Sequence, residues 1–285
     1  MGCWRSLDAF FNGLFGKFLT KTDFIKNDFN KEQLLSLRVK KNANMPIELL
    51  LLILFVTFIA AFVNSAFGFG EGMINMSVLS FFFPINFAAP FVALLSGLGS
   101  LYIILRDRSD WRLNNVNVLI LGAIFTVPIG IWLASISDTD IMRRVLGLII
   151  AGFSIYSLLK AKLGHLSDDR WALLFGGLGG ILGGAYNVSG PPVVIYGNLR
   201  AWSPAVFRVT LQVYFAALSV IVVSTHAFRG NLTNELLLLV LYALPTAFIG
   251  IIVGRKVNRN IKNPEFFRKL IYGLLLIVGT MLMIS

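Results

Sequence analysis

Residues 65–72 read Ser-Ala-Phe-Gly-Phe-Gly-Glu-Gly, and residues 183–190 read Gly-Gly-Ala-Tyr-Asn-Val-Ser-Gly with Pro191 and Pro192 following at once. Each stretch follows an apolar run. Each precedes a short apolar segment that ends in a polar, proline-containing break, Pro84-Ile85-Asn86 in one case and Ala201-Trp202-Ser203-Pro204 in the other. Glycine and proline at membrane depth stop a helix and free backbone N–H and C=O groups. Such breaks persist only where protein or a water-filled cavity covers them. Interrupted apolar segments at matching places in two halves of a chain mark the binding site of a secondary transporter. These two stretches therefore predict a carrier.

The surrounding composition agrees. The chain is 56% hydrophobic and 14% charged, with a mean hydropathy of +0.78, against roughly 25% charged residues in soluble domains. The apolar runs Pro46–Val63, Ala88–Leu105, Val116–Ala134, Ile141–Leu159, Trp171–Leu182, Ala205–Ala227, Leu236–Val253 and Leu270–Ile284 are read as long enough to cross a bilayer, which takes ~20 residues of helix. Met73–Phe83 and Val193–Leu199 are too short to span alone. The fold class expected is all-α: a polytopic transmembrane bundle of two inverted repeats, each with a broken or re-entrant Gly-rich helix pair.

A net charge of +11 in such a chain reads as cytoplasmic loops and headgroup contacts, and no nucleic-acid-binding signature accompanies it. Cys3 is the only cysteine, which excludes an intramolecular disulfide and a cysteine metal site. His165 and His226 read as interfacial residues and not as a metal pair. The chain has no HExxH, no paired histidines on a helix face and no Walker motif, so neither an enzyme nor an ATP-driven pump is expected, and no cofactor.

Four segments are expected. Residues 1–45 form a basic amphipathic interfacial leader, with Leu7, Phe10, Phe11, Leu14, Phe15 and Phe18 at helical spacing. Residues 46–162 form the first transmembrane repeat, 163–170 a cytoplasmic linker and 171–285 the second repeat. The third long helix of each repeat carries a central proline, Pro128 or Pro245, followed by Gly130 or Gly250. Loop charge fixes the orientation. Arg106, Arg108 and Arg112 face a counterpart loop with Arg229 alone; Asp138 and Asp140 face a counterpart with Arg255, Lys256, Arg259, Lys262, Arg268 and Lys269. Basic loops stay cytoplasmic, so equivalent loops lie on opposite sides and the repeats are inverted. That symmetry puts Pro46 outside, although the basic leader favours the inside.

At these residues the chain resembles the sulfite exporter TauE/SafE family of toluene-sulfonate uptake permease type. The resemblance rests on the breaks at Gly68–Gly72 and Gly183–Pro192, on Pro204 through Gln212, and on Leu244-Pro245 with Gly250 and Gly254; it covers roughly residues 46–285. It implies export or uptake of sulfite or an organosulfonate by a secondary carrier, export being the direction expected here, in a bacterial or archaeal-type cell (inner) membrane. Glu71 stands where that family commonly carries glycine or another small residue.

Such a substrate is a compact anion with three acceptor oxygens. The N-terminus of a half-helix offers it unpaired N–H groups and a favourable dipole. Gly68, Gly70, Gly72 and Gly190 let backbone come close, while Asn64, Asn75, Asn187 and Ser189 supply side-chain donors; the alternative is that they only let helices cross tightly. Arg208 and Gln212 share a helix face, Arg208 as a snorkelling arginine or a cation at the mouth, Gln212 as the deeper site residue. Glu71 is the coupling candidate. An acid beside an anion site is expected to hold its proton, as a carrier of that proton or as a structural hydrogen-bond donor. The partners expected are the anion, the lipid bilayer, protons and a second copy of the chain. The competing reading is a membrane-embedded scaffold without transport activity.

Overall fold

The computed structural model describes residues 45–106, 116–159, 166, 168–260 and 264–284, with the side chains of 259–267 excepted. The leader helix, Arg108, Arg112, Lys262 and His165 lie outside the described residues. Contacts divide the chain into two compact units, Met1–Leu50 and Leu51–Ser285. Of the first, only 45–50 are described; they begin the first helix.

The described residues form helices and no strand. The order is α1 (Ile47–Phe67), α2 (Glu71–Phe82), α3 (Ile85–Arg106), α4 (Val116–Ile136), α5 (Thr139–Leu158), α6 (Trp171–Tyr186), α7 (Gly190–Leu199), α8 (Pro204–Phe228), α9 (Asn234–Asn260) and α10 (Pro264–Ile284). Six of them, α1, α3, α4, α5, α8 and α9, are long and apolar enough to cross a membrane. In hydrocarbon a helix satisfies its own backbone polar groups. Large apolar side chains accordingly remain on the outer surface, with Phe125 70% and Leu241 60% exposed.

The ends of the short helices show how the chain turns. α1 stops at Phe67, and Gly68 and Gly70 then take φ of 90° and 108°, values that glycine adopts without a Cβ clash. α6 stops at Asn187, whose φ of 53° is also left-handed and whose amide donates to Gly183 O at 2.8 Å. After α7 the Leu166 amide donates to Leu199 O at 3.0 Å, and Arg200 pairs with Asp169 at 2.6 Å. The end of α7 thus comes back to the start of α6, so α6 and α7 form a hairpin. At the opposite end of the bundle the Arg143 Nε donates to Ser80 O, placing the end of α2 beside the start of α5.

Helices of the two halves interleave. α4 packs along α6: Cβ atoms at Gly122, Gly130 and Gly184 would collide with the carbonyls of Leu173, Ile181 and Val127, and Thr126 Oγ1 donates to Gly177 O at 2.8 Å. α9 packs along α1 in the same manner, Gly250 against Phe58 and Gly254 against Phe62. Small residues allow backbones this close where lipid supplies no hydrophobic drive for association. α5 meets α10 through Gly147 and Gly279, and α3 meets α8 at the centre. Arg229 donates to Ile131 O and Ser135 Oγ, and Arg255 to Arg106 O. The ends of α4 and α8 therefore share one end of the bundle, and those of α3 and α9 the other. With α1 running parallel to α9, the α1–α2 hairpin opens toward the Arg229 end; the α6–α7 hairpin opens the opposite way.

Candidate functional site

The tips of the two hairpins meet midway along α3 and α8. A Cβ on Gly72 would collide with the Asn187 carbonyl oxygen, so one tip crosses the other with backbone against backbone. Beside this crossing lies a cavity of about 30 Å³. Its polar wall comes from Asn64, Glu71, Ser96, Asn187, Ser189 and Ser219; Met73, Val188, Phe215 and Leu218 supply the apolar one.

Glu71 is the first residue of α2 and is only 3% exposed. Its Oε2 accepts from Asn64 Nδ2 at 2.8 Å. Gln212 Nε2 in turn donates to Asn64 Oδ1 and to Gly68 O, each at 3.0 Å. Two amides on α1 and α8 thus fix the carboxyl and tie the end of α1 to α8. Across the cavity Asn187 Nδ2 donates to Ser96 Oγ at 3.4 Å, and the Ser96 and Ser219 hydroxyls lie 3.3 Å apart. Because Ile74 N is the amide that bonds Gly70 O, the amides of Glu71, Gly72 and Met73 have no intrahelical acceptor. The α7 tip differs. Pro191 and Pro192 carry no N–H, which leaves Gly190 as the amide donor among its first three positions.

Of the residues singled out by sequence, Asn64, Gly70, Glu71, Gly72, Asn187, Ser189 and Gly190 line the cavity. Gly68 and Gln212 belong to the network behind it. Two do not reach it. Arg208 packs its Cα and Cβ against Gly68, and Asn75, one turn beyond Glu71 and fully buried, finds no hydrogen-bond partner for its amide among the described residues. Ser96 and Ser219 were not singled out. The signal was present in Ser96-Gly97-Leu98-Gly99-Ser100, a cluster of small residues in the middle of a spanning run.

Paired helical hairpins inside a spanning bundle, with buried amides, hydroxyls and one acid converging at mid-depth, define a multi-pass membrane transporter. The family model for the sulfite exporter TauE/SafE matches residues 53–282. The chain belongs to that family. It is 28% identical over 225 residues, 76% of this chain and 87% of the relative, to a protein of Cupriavidus necator named probable sulfite/organosulfonate exporter TauE. It is 22% identical over 258 residues, 83% of this chain and 96% of the relative, to a probable membrane transporter protein of Methanocaldococcus jannaschii. Both relatives carry transporter names and neither an enzyme name. No solved structure matches the chain.

Proposed function

We propose that this protein is a secondary transporter, an exporter, of a small sulfur-containing anion such as sulfite or an organosulfonate. The anion binds between the two hairpin tips and moves with a proton held by Glu71. One observation carries the reading: a cavity at mid-bundle lined by two side-chain amides, three hydroxyls and a single carboxyl, which sits on the first turn of α2 and accepts from Asn64. The donors suit the oxygens of a compact anion, and hydrogen bonds to a charged acceptor are worth ~1.5–3 kcal/mol each. The carboxyl is the exception. Ionised, it would repel the anion at close range in a low-dielectric site; protonated, it adds one more donor. The anion and the proton therefore bind together. With a monovalent anion the moved unit is neutral, so export proceeds where the outward gradient of the anion exceeds the inward gradient of protons.

The two halves are inverted repeats in this reading, residues 46–162 and 171–285, with the segment between them cytoplasmic. The opposite opening of the two hairpins supports it, as does the placing of Arg106, Arg255 and Asp169 at one end of the bundle and Asp138 and Arg229 at the other. The basic end faces the cytoplasm of a cell (inner) membrane. Purified protein in liposomes loaded with labelled sulfite tests the transport activity. Release should exceed that from equally loaded protein-free liposomes and be competed by organosulfonates; no release of any sulfur anion overturns it in favour of a scaffold.

A further inference from the structure

The reading above leaves open which anions fit, and one side of the cavity bears on this. Polar groups line the cavity from both halves, Asn64, Glu71 and Ser96 on α1–α3 and Asn187, Ser189 and Ser219 at the α6–α7 tip and on α8. One patch of that lining is apolar: the ring of Phe215 and the thioether of Met73 stand in front of Gly190. A Cβ on Gly190 would lie 3.8 Å from Phe215 Cζ and 4.0 Å from Met73 Cε. These are ordinary van der Waals contacts, so the space in front of Gly190 is one methyl group deep. Gly190 also has no positive φ. It is therefore not held as glycine by backbone geometry or by a clash, unlike Gly72; what it provides is this slot.

We infer that Gly190, Phe215 and Met73 set the size limit on the anion's organic substituent, so that the protein takes sulfite and a one-carbon sulfonate and rejects long-chain and aryl sulfonates. The inference rests on the proposed anion site. An oxyanion head placed against the polar wall directs its substituent toward the slot, where apolar lining favours a methyl and forbids a ring. Discrimination of a single methylene in an apolar pocket reaches about 10–200-fold, enough to read in flux.

The test uses full-length protein in liposomes and four probes: sulfite, methanesulfonate, hexanesulfonate and benzenesulfonate. The wild type should move the first two. Gly190→Ala fills the slot with a methyl, and should lower the methanesulfonate-to-sulfite flux ratio about tenfold, whatever its effect on the absolute rate of sulfite. Phe215→Ala, or Phe215→Leu should the first fail to fold, should raise the hexanesulfonate-to-sulfite ratio about tenfold. Flux ratios unchanged in both positions, with sulfite flux retained, overturn the inference and leave the anion site standing. So does wild-type transport of benzenesulfonate at the rate of sulfite. If the wild type moves none of the four, the proposed substrate class fails and the inference falls with it.

Discussion

Two residues beside the cavity are open to decisive substitution. Glutamine resembles the protonated form of Glu71 in shape and hydrogen bonding but cannot release a proton, and it can still engage Asn64. Glu71→Gln should therefore retain anion counterflow across the membrane while losing accumulation driven by a pH gradient. Both measurements in proteoliposomes at wild-type rates would make Glu71 a structural acid; loss of both in a folded variant would place it in binding itself. Gly72 is held by a different constraint. Because its Cα abuts the Asn187 carbonyl, even alanine must push the two tips apart, and overpacking of this kind costs ~1–3 kcal/mol. Gly72→Ala should lower the melting temperature and cut flux at least tenfold, whereas Gly190→Ala should melt like the wild type. Equal melting of all three proteins would show that the tips do not depend on their crossing.

Among the elements, the α4–α6 pair invites comparison of two kinds of contact. Thr126 reaches across to Gly177 O, yet interhelical hydrogen bonds in membranes average only ~0.6 kcal/mol. The backbone approach at Gly176, where a Cβ would strike Leu119, admits no larger residue without separating the helices. Thr126→Val should thus leave yield and melting temperature nearly unchanged, while Gly176→Leu should collapse the yield of folded protein in detergent. The reverse order would mean that polar contacts and not backbone approach hold the pair. This contact also marks the limit of what sequence reveals. Apolar run length found the six helices able to span, but it also offered Trp171–Leu182 and Leu270–Ile284, whose helices are not among those six, and it ended α9 short at Val253; both breaks followed from their glycines. Partner choice did not. A helix that is apolar all round shows no periodicity separating its lipid face from its protein face, so glycines such as Gly176, Gly180 and Gly184 do not name α4 as their partner. Ser96 and Ser219 escaped for a related reason: a lone hydroxyl in a spanning helix commonly satisfies itself within its own helix, as Ser154 does on Ile150 O.

For the molecule as a whole, the sidedness is testable from residues that the structure groups by end. In a Cys3→Ser background, cysteines at Asp138 and Asn231 should react with an impermeant thiol reagent in intact cells, and cysteines at Asp168 and Lys256 should not. Asp138 and Lys256 lie in counterpart regions of the two halves, so their labelling alike would overturn the inverted arrangement. The charge rule made this much legible from the loops, since Arg106 and Arg255 were assigned to one side and are joined by a hydrogen bond. The hairpins opening from opposite ends were only half legible, because a glycine-rich break stops a helix without saying whether the chain continues or doubles back.

The interleaving of the halves has a consequence for how the protein is made. When the ribosome has finished α5, the glycine stripe of α4 has no α6 to close on, and α1 lacks the α9 whose Gly250 and Gly254 complete its flank. The first half must wait in the lipid, incompletely packed, until its partner helices arrive, and it is during that interval that quality-control proteases and insertion chaperones have something to recognise. A chain cut in the segment 163–165 should then yield halves that are each degraded when expressed alone and rescued when expressed together, measured as steady-state membrane levels of both pieces.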